Sequence, residues 1–222
     1  MTLIYGLSAN PVHQAHIELV CQAVTALRAR GYAPLRTLII PVFRRNPVGA
    51  RKGGLEHNYL HRLALCELAA VEMRRRGAGE VQVSRIEERL AQASGKPNYT
   101  AETLAALQAR ECAGEKLLLL LSSDLVAGDV PEFGRWYHVA EIIRLATLVI
   151  APRPGYQAKQ SFLNELRERG AQLVRLTEVR TPEISSTRIR ARLANGEDPL
   201  QLSAEGWLPH SVAEYLEQQP SN

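Results

Sequence analysis

The sequence predicts an α/β protein built on a mainly parallel sheet with helices on both faces. Three observations lead there. Short apolar runs alternate with longer segments of helical period along the whole chain. The run at 116–123, KLLLLLSS, is apolar throughout, as a strand covered on both faces is. Alternation of this kind implies βαβ units, whose strands run parallel. With 222 residues the chain can bury one sizeable core, so 1–222 reads as a single domain in which 185–218 forms a C-terminal helical part.

In order, TLIYG at 2–6 reads as a buried strand ending in Gly. A helix opens near His13, carries Ile17, Val20, Val24 and Leu27 at helical spacing, and closes at Gly31. LRTLIIPV at 35–42 is a second strand, and the basic, Gly- and Pro-rich stretch 43–54 is a loop. A helix is expected over 57–76, a strand over 80–87, and a loop through GKPNY. A Thr cap near Thr100 starts the next helix, which ends at Ala113. After the strand 116–123, the pattern gives a helix over 131–146, a strand over 147–155, a helix near 158–169 and a strand over 171–176. Two helices finish the chain, 185–196 and 208–218, and only QQPSN looks loose.

Composition narrows the function classes. No apolar run is long enough to span a bilayer. MTLIYGL lacks the basic start and cleavage site of a signal peptide. Cys21, Cys66 and Cys112 are far apart, and no CxxC pair exists. Free, buried, reduced thiols suit the cytoplasm, which is the expected compartment, with no membrane partner. The net charge of +4 is modest. Most of its arginines, such as Arg74, Arg75 and Arg76, fall on polar helix faces, so nucleic acid is not an expected partner.

Two motifs carry chemistry. In SANPVHQAHIELV, His13 and His16 stand three apart where a strand-loop-helix junction presents free N–H groups and a positive dipole end. Positions i and i+3 share a helix face, so both imidazoles could reach one phosphate. In ISSTRIR, Ser185, Ser186 and Thr187 open a helix and Arg190 follows three residues after Thr187. Hydroxyls, first-turn N–H groups and a guanidinium make a phosphate clamp. A Ser/Thr cap with a surface Arg would give the same string, but two anion sites in one chain point together to a shared polyphosphate.

At these residues the chain resembles nucleotidyltransferases with an HxGH signature after the first strand and an ISSTxxR signature near the C-terminus. Among them it most resembles the bacterial nicotinate-nucleotide adenylyltransferases. ISSTRIR matches fully, NYTAETLAAL is similar to the SYTxxTL stretch, SSDLVAGDVPEFGRW resembles the GxDxxxxxxxW segment, and APRPGY matches the RPG stretch. LPHSVAEYL resembles the C-terminal helix, so the likeness runs through nearly the whole chain. It departs in three places: GLSANP stands for GGTFDP or GSFDP, Ala15 for the Gly of HxGH, and Ser122 for the Gly of GxD.

The resemblance implies a Rossmann-like nucleotidyltransferase fold and a reaction joining nicotinate mononucleotide to the AMP part of ATP, with Mg2+ assisting. The catalytic pair implied is His16, at the α-phosphoryl group, and His13, on neighbouring triphosphate oxygens. Ser186, Thr187 and Arg190 are implied for the β and γ phosphates, Asp124 for the ribose of ATP, and Ser8 for ATP as well. Tyr99, Thr100, Trp136, Tyr137 and Arg153 are implied for the mononucleotide, Trp136 by stacking on the pyridine ring. Lys52 is a candidate phosphate contact, and no residue is expected to hold a metal directly. A homo-oligomer is compatible with the sequence.

Other readings remain open on the residues alone. The acceptor could be nicotinamide mononucleotide or another phosphorylated compound. The altered GLSANP loop and the basic RRNPVGARK would also suit a non-catalytic nucleotide- or RNA-binding protein. Zinc at His13 and His16 lacks an evident third ligand.

Overall fold

The computed structural model describes residues 1–33, 35–44 and 58–218. Among them six strands form one sheet, all neighbours parallel, in the order β3-β2-β1-β4-β5-β6. The strands are β1 (Thr2–Leu7), β2 (Arg36–Pro41), β3 (Val81–Val83), β4 (Leu117–Ser122), β5 (Ala146–Ala151) and β6 (Leu173–Arg175). The first helices, α1 (Gln14–Ala29) and α2 (Tyr59–Arg75), cross over between the first three strands. After β3 come α3 (Ile86–Ser94) and α4 (Thr100–Ala109), then α5 (Val139–Leu145) before β5 and α6 (Gln160–Glu168) before β6. Three helices complete the fold: α7 (Ser186–Ala194), α8 (Pro199–Ala204) and α9 (His210–Glu217).

Side chains alternate across each strand, so the sheet divides the core in two. Leu3, Tyr5, Leu7, Leu118 and Leu120 face a cluster that takes in Ile17 and Val24 of α1, Leu65 of α2, Ile189 of α7 and Val212 of α9. Ile4, Leu117, Leu119 and Leu121 face the other cluster, with Leu104 of α4, Ile142 of α5 and Leu163 of α6. The uniformly apolar composition of β4 follows from having a helical layer on each side.

Strand order reverses at β1, which pairs with β2 on one side and β4 on the other. Chain connections leave in opposite directions from these neighbours, so a crevice opens above their carboxyl ends.

The structure corrects four element assignments. The strand expected over 80–87 stops at Val83, and the loop expected after it is largely α3. The Ser84 hydroxyl accepts the Ile86 N–H at 3.2 Å, which turns the chain out of the sheet. Gly95, at φ 71°, ends α3 with its N–H on the Ala91 carbonyl. Thr100 is the first residue of α4 and not its cap; Tyr99 is the cap, and its N–H donates to the Glu102 carboxylate at 3.1 Å. The helix expected over 131–146 is a 3-10 turn (Glu132–Arg135), then extended backbone at Trp136, then left-handed backbone at His138 with φ 53°, and only then α5. Finally, α8 is an additional helix, started by Asp198, which accepts the Leu200 N–H at 2.8 Å, with Pro199 in the first turn.

Cys66 and Cys112 are buried and Cys21 half-buried, all three free. Burial pushes the Cys66 thiol up to about 12. Leu118, fully buried in β4, reports on the core cluster beneath α1 and α2. Leu118→Ala should cost about 2–5 kcal/mol in denaturant unfolding. A loss below about 1 kcal/mol would mean that this face of β4 is not packed against the α1 and α2 layer.

Candidate active-site cleft

A cleft of about 730 Å³ lies at the carboxyl ends of β1 and β4. Its walls come from the β1–α1 loop, the ends of β2 and β4, the segment after β5, the start of α4 and the segment 181–190. His13, His16, Ser8, Ser186, Thr187 and Arg190 all line it, as do Thr100, Asp124, Trp136 and Arg153.

His13 is the N-cap of α1 and is buried, while His16 is half-buried one turn on. Their rings stack with centroids 3.6 Å apart and planes 21° apart. The His13 backbone N–H donates to Nδ1 of His16 at 3.1 Å. A ring nitrogen that accepts carries no proton, so neutral His16 holds its proton on Nε2. The backbone N–H that starts α1 thus sets the tautomer of neutral His16.

The two anion motifs are joined directly. The Ser186 hydroxyl donates to the Pro11 carbonyl at 3.0 Å, and Nη1 of Arg190 donates to the Asn10 carbonyl at 2.9 Å. Ser185 caps α7, accepting the Arg188 N–H at 3.3 Å. Thr187 is exposed at the same helix start. Upstream, the segment leading to α7 is strapped to α1: Gln22 and Arg180 exchange two hydrogen bonds, each 2.7 Å.

Two residues of this region were not singled out from sequence. Arg62, on α2, is almost wholly buried and donates to the carbonyls of Ser8 (3.0 Å), Val42 (2.6 Å) and Phe43 (3.2 Å). It thereby ties the β1–α1 loop to the end of β2. The only sequence signal is a charged residue at a core-facing position of an otherwise apolar helix stripe. Glu87, on α3, lines the cleft, and its carboxylate accepts the Phe43 N–H at 2.9 Å. Burial pushes its carboxyl up to about 7, against the opposing pull of the Phe43 amide, the Thr103 hydroxyl and the Arg62 charge. The expected strand over 80–87 takes it as its last residue, whereas it belongs to the first turn of α3.

Asp124 sits in the 3-10 turn Ser123–Val126 that follows β4. Nη1 of Arg153 donates to its carboxylate at 2.8 Å, and the Ser122 hydroxyl donates to the other oxygen. Arg153 is itself held by its N–H on the Ser123 hydroxyl at 2.9 Å. Two residues expected to touch different substrates thus form one ion pair.

Trp136 is half-buried, lines the cleft and packs on Phe133 with ring centroids 5.2 Å apart. It does so from extended backbone rather than from the amphipathic helix expected. Tyr99 and Tyr137 are not among the cleft-lining residues. Their rings pack together, tilted by 31° with centroids 4.2 Å apart, and Tyr137 also stacks on His138 at 3.8 Å. Lys52 lies outside the described residues.

Among the described residues no group of three or more His, Cys, Asp or Glu side chains could hold a metal ion. The groups at the phosphate-like end of the cleft are hydroxyl, imidazole and guanidinium donors, which suit anions rather than cations. Among the described residues, too, no helix is long and apolar enough to cross a membrane.

Comparison with known proteins is consistent along the chain. Residues 4–192 match the cytidylyltransferase-like family. A protein of Roseiflexus castenholzii named "Probable nicotinate-nucleotide adenylyltransferase" is 32% identical over 217 residues, covering 97% of this chain and 94% of that protein. A protein of the same name from Aeromonas hydrophila is 31% identical over 231 residues, again with 97% and 94% covered. Among solved structures, the Plasmodium falciparum nicotinic acid mononucleotide adenylyltransferase complexed with NaAD superposes with a TM-score of 0.71 at 15% identity, covering 97% of this chain and 93% of that one. At that identity it bears on the fold alone, the Rossmann-like α/β arrangement expected.

The raised Glu87 carboxyl carries a sign that can be checked. Its folded value lies above its ordinary 4.5, so the penalty for charging it is absent below about 4.5 and complete above about 7. Glu87→Gln should therefore gain stability over the parent protein at pH 8, by roughly 1–3 kcal/mol, and gain little at pH 5. Equal stability differences at the two pH values, from urea unfolding, would show that Glu87 is charged at ordinary cost.

Proposed function

This chain belongs to the cytidylyltransferase-like family, and from that premise we propose that it transfers the adenylyl group of ATP to nicotinate mononucleotide, giving deamido-NAD and pyrophosphate in NAD biosynthesis. One observation carries the reading beyond fold. The loop that leads into His13 and the motif at 185–190, far apart in sequence, meet through the Ser186–Pro11 and Arg190–Asn10 hydrogen bonds in a cleft that Trp136 and Thr100 also line, Trp136 packing with the core cluster on the α4 face of the sheet. A cluster of anion-binding groups together with an aromatic ring suits a polyphosphate beside a heteroaromatic mononucleotide.

The attacking group is a phosphate oxygen of the mononucleotide, already anionic near neutral pH. It bonds to the α-phosphorus of ATP as the bond to the β-bridging oxygen breaks, and pyrophosphate departs with that electron pair. No strong base is needed; the barrier lies in bringing anions together and in charge on the reacting phosphoryl group. His16 donates from Nε2 to an α-phosphoryl oxygen, and His13 supports the neighbouring oxygens. Arg190 and the start of α7, with Ser186 and Thr187, hold the β and γ phosphates. Asp124 receives a ribose hydroxyl of ATP, and Arg153 is shared between that carboxylate and the mononucleotide. Trp136 stacks on the pyridine ring. Magnesium, carried by the triphosphate rather than by a protein ligand set, neutralises charge there when bound. The expected setting is the cytoplasm.

A second acceptor, nicotinamide mononucleotide, is favoured by the two carboxyl groups that line the cleft beside Thr100 and Trp136, Glu87 and Glu132. Either could accept from an amide NH2. The deciding experiment is pyrophosphate release with ATP, magnesium and each mononucleotide in turn. Turnover with nicotinate mononucleotide is expected; none with any mononucleotide would reject the proposal.

His16→Ala should lower kcat by about 10²–10³ while changing KM for ATP much less, because its contact strengthens as charge develops. Near-normal turnover in a folded variant would remove His16 from the chemistry.

A further inference from the structure

The cleft has two chemically different ends. One, on the α1 and α7 side, presents His13, His16 and Arg190. The other, on the α4 side, presents Ile40, Leu104 and Trp136 together with Thr100, Thr103 and Glu87. A pyridine ring belongs at the second end, and Glu87 is the half-buried carboxyl there, whereas Glu132 is exposed.

Building on the function proposed above, we propose that Glu87 is a specificity-determining residue for the acceptor: neutral Glu87 admits the acid mononucleotide, and charged Glu87 turns the cleft toward the amide. A carboxylate in the wall repels the pyridine carboxylate of the acid form. The same group, charged, can accept from a carboxamide NH2.

The surroundings permit both states. Oε2 accepts the Phe43 N–H at 2.9 Å from the end of β2. From α4, the Thr103 hydroxyl faces the carboxyl. Its hydrogen bond to Glu87, like that of the Phe43 amide, favours the charged form. From α2, the Arg62 guanidinium favours the charged form, and the nearby Tyr59 phenol is pushed up to about 12 by burial and stays neutral. On its own helix, Arg85 and Glu88 pair with each other. Burial outweighs these pulls and places the change of state near neutral pH.

The test measures kcat/KM for nicotinate mononucleotide and for nicotinamide mononucleotide from pH 6 to 8.5 under identical ATP and magnesium. Titration of the acceptor phosphate, and of His13 or His16, acts on both acceptors alike and divides out of the ratio. The acid-to-amide ratio should fall at least about tenfold across this range, with its midpoint near 7. In Glu87→Gln, or in Glu87→Met should Gln fail to fold, the ratio should stay flat. A flat ratio in the parent protein overturns the proposal, as does an unchanged slope in either variant. Absence of pyrophosphate release with both acceptors at every pH overturns the adenylyltransferase function itself; turnover with a flat ratio overturns only the role of Glu87.

Discussion

The site depends on holding three backbone carbonyls of the β1–α1 loop. Arg62 takes that of Ser8, Arg190 that of Asn10 and Ser186 that of Pro11. Between them Ala9 is buried with φ 52°, a left-handed conformation that costs a residue with a side chain roughly 1–2 kcal/mol. Such a conformation persists only where its surroundings determine it. Here α2 and α7 supply that determination from two directions. The loop then delivers His13 to the N-cap of α1, and its backbone N–H in turn orients His16. The placement of the His16 ring thus depends on side chains from two other helices, Arg62 of α2 and Ser186 and Arg190 of α7.

The same tethers explain why the C-terminal helices belong to the site. Ile189, Leu202, Leu208 and Val212 are buried in the core cluster shared by α1 and α2. The Trp207 carbonyl accepts the Gln14 N–H at 3.0 Å, meeting one of the first-turn donors that α1 would otherwise leave open. Trp207 is flanked by the guanidinium groups of Arg188 and Arg192, each 4.8 Å from its ring. Loosening this packing would act on the start of α1 as well as on α7.

Much of this was legible in the sequence, and the failures have physical causes. Parallel strands with a helical layer on each side are apolar throughout, so KLLLLLSS announced β4. HxxH and ISSTRIR marked helix starts because capping needs particular residues at particular positions. Periodicity could not show that the side chains of Ser186 and Arg190 would hold a loop 175 and 180 residues away. Nor could it separate Trp136 from Tyr137. Adjacent aromatics in a supposed helix looked equivalent, yet the extended backbone at Trp136 and the left-handed turn at His138 put one in the cleft and the other against Tyr99. Arg62 and Glu87 escaped notice because their importance lies in burial and in backbone partners, which no short motif encodes.

The departures from the family pattern fall where the chain has other means of support. Ala15, in place of glycine, lies in the first turn of α1, and its backbone is helical, so the position does not need glycine for its conformation. Its methyl only narrows the cleft it lines. Ala9 stands where a bulkier aromatic is usual in the resembling sequences, and the space beside it is closed by other groups: Val12 and Leu7 are buried with it in one cluster, and Arg62 closes over the loop. Asn10 replaces an acid, which removes a negative charge from the cleft it lines, while its backbone carbonyl accepts from Arg190. A loop altered at Ala9 and Asn10 still presents two imidazoles at a helix start, because what holds it is a set of donors to its carbonyls.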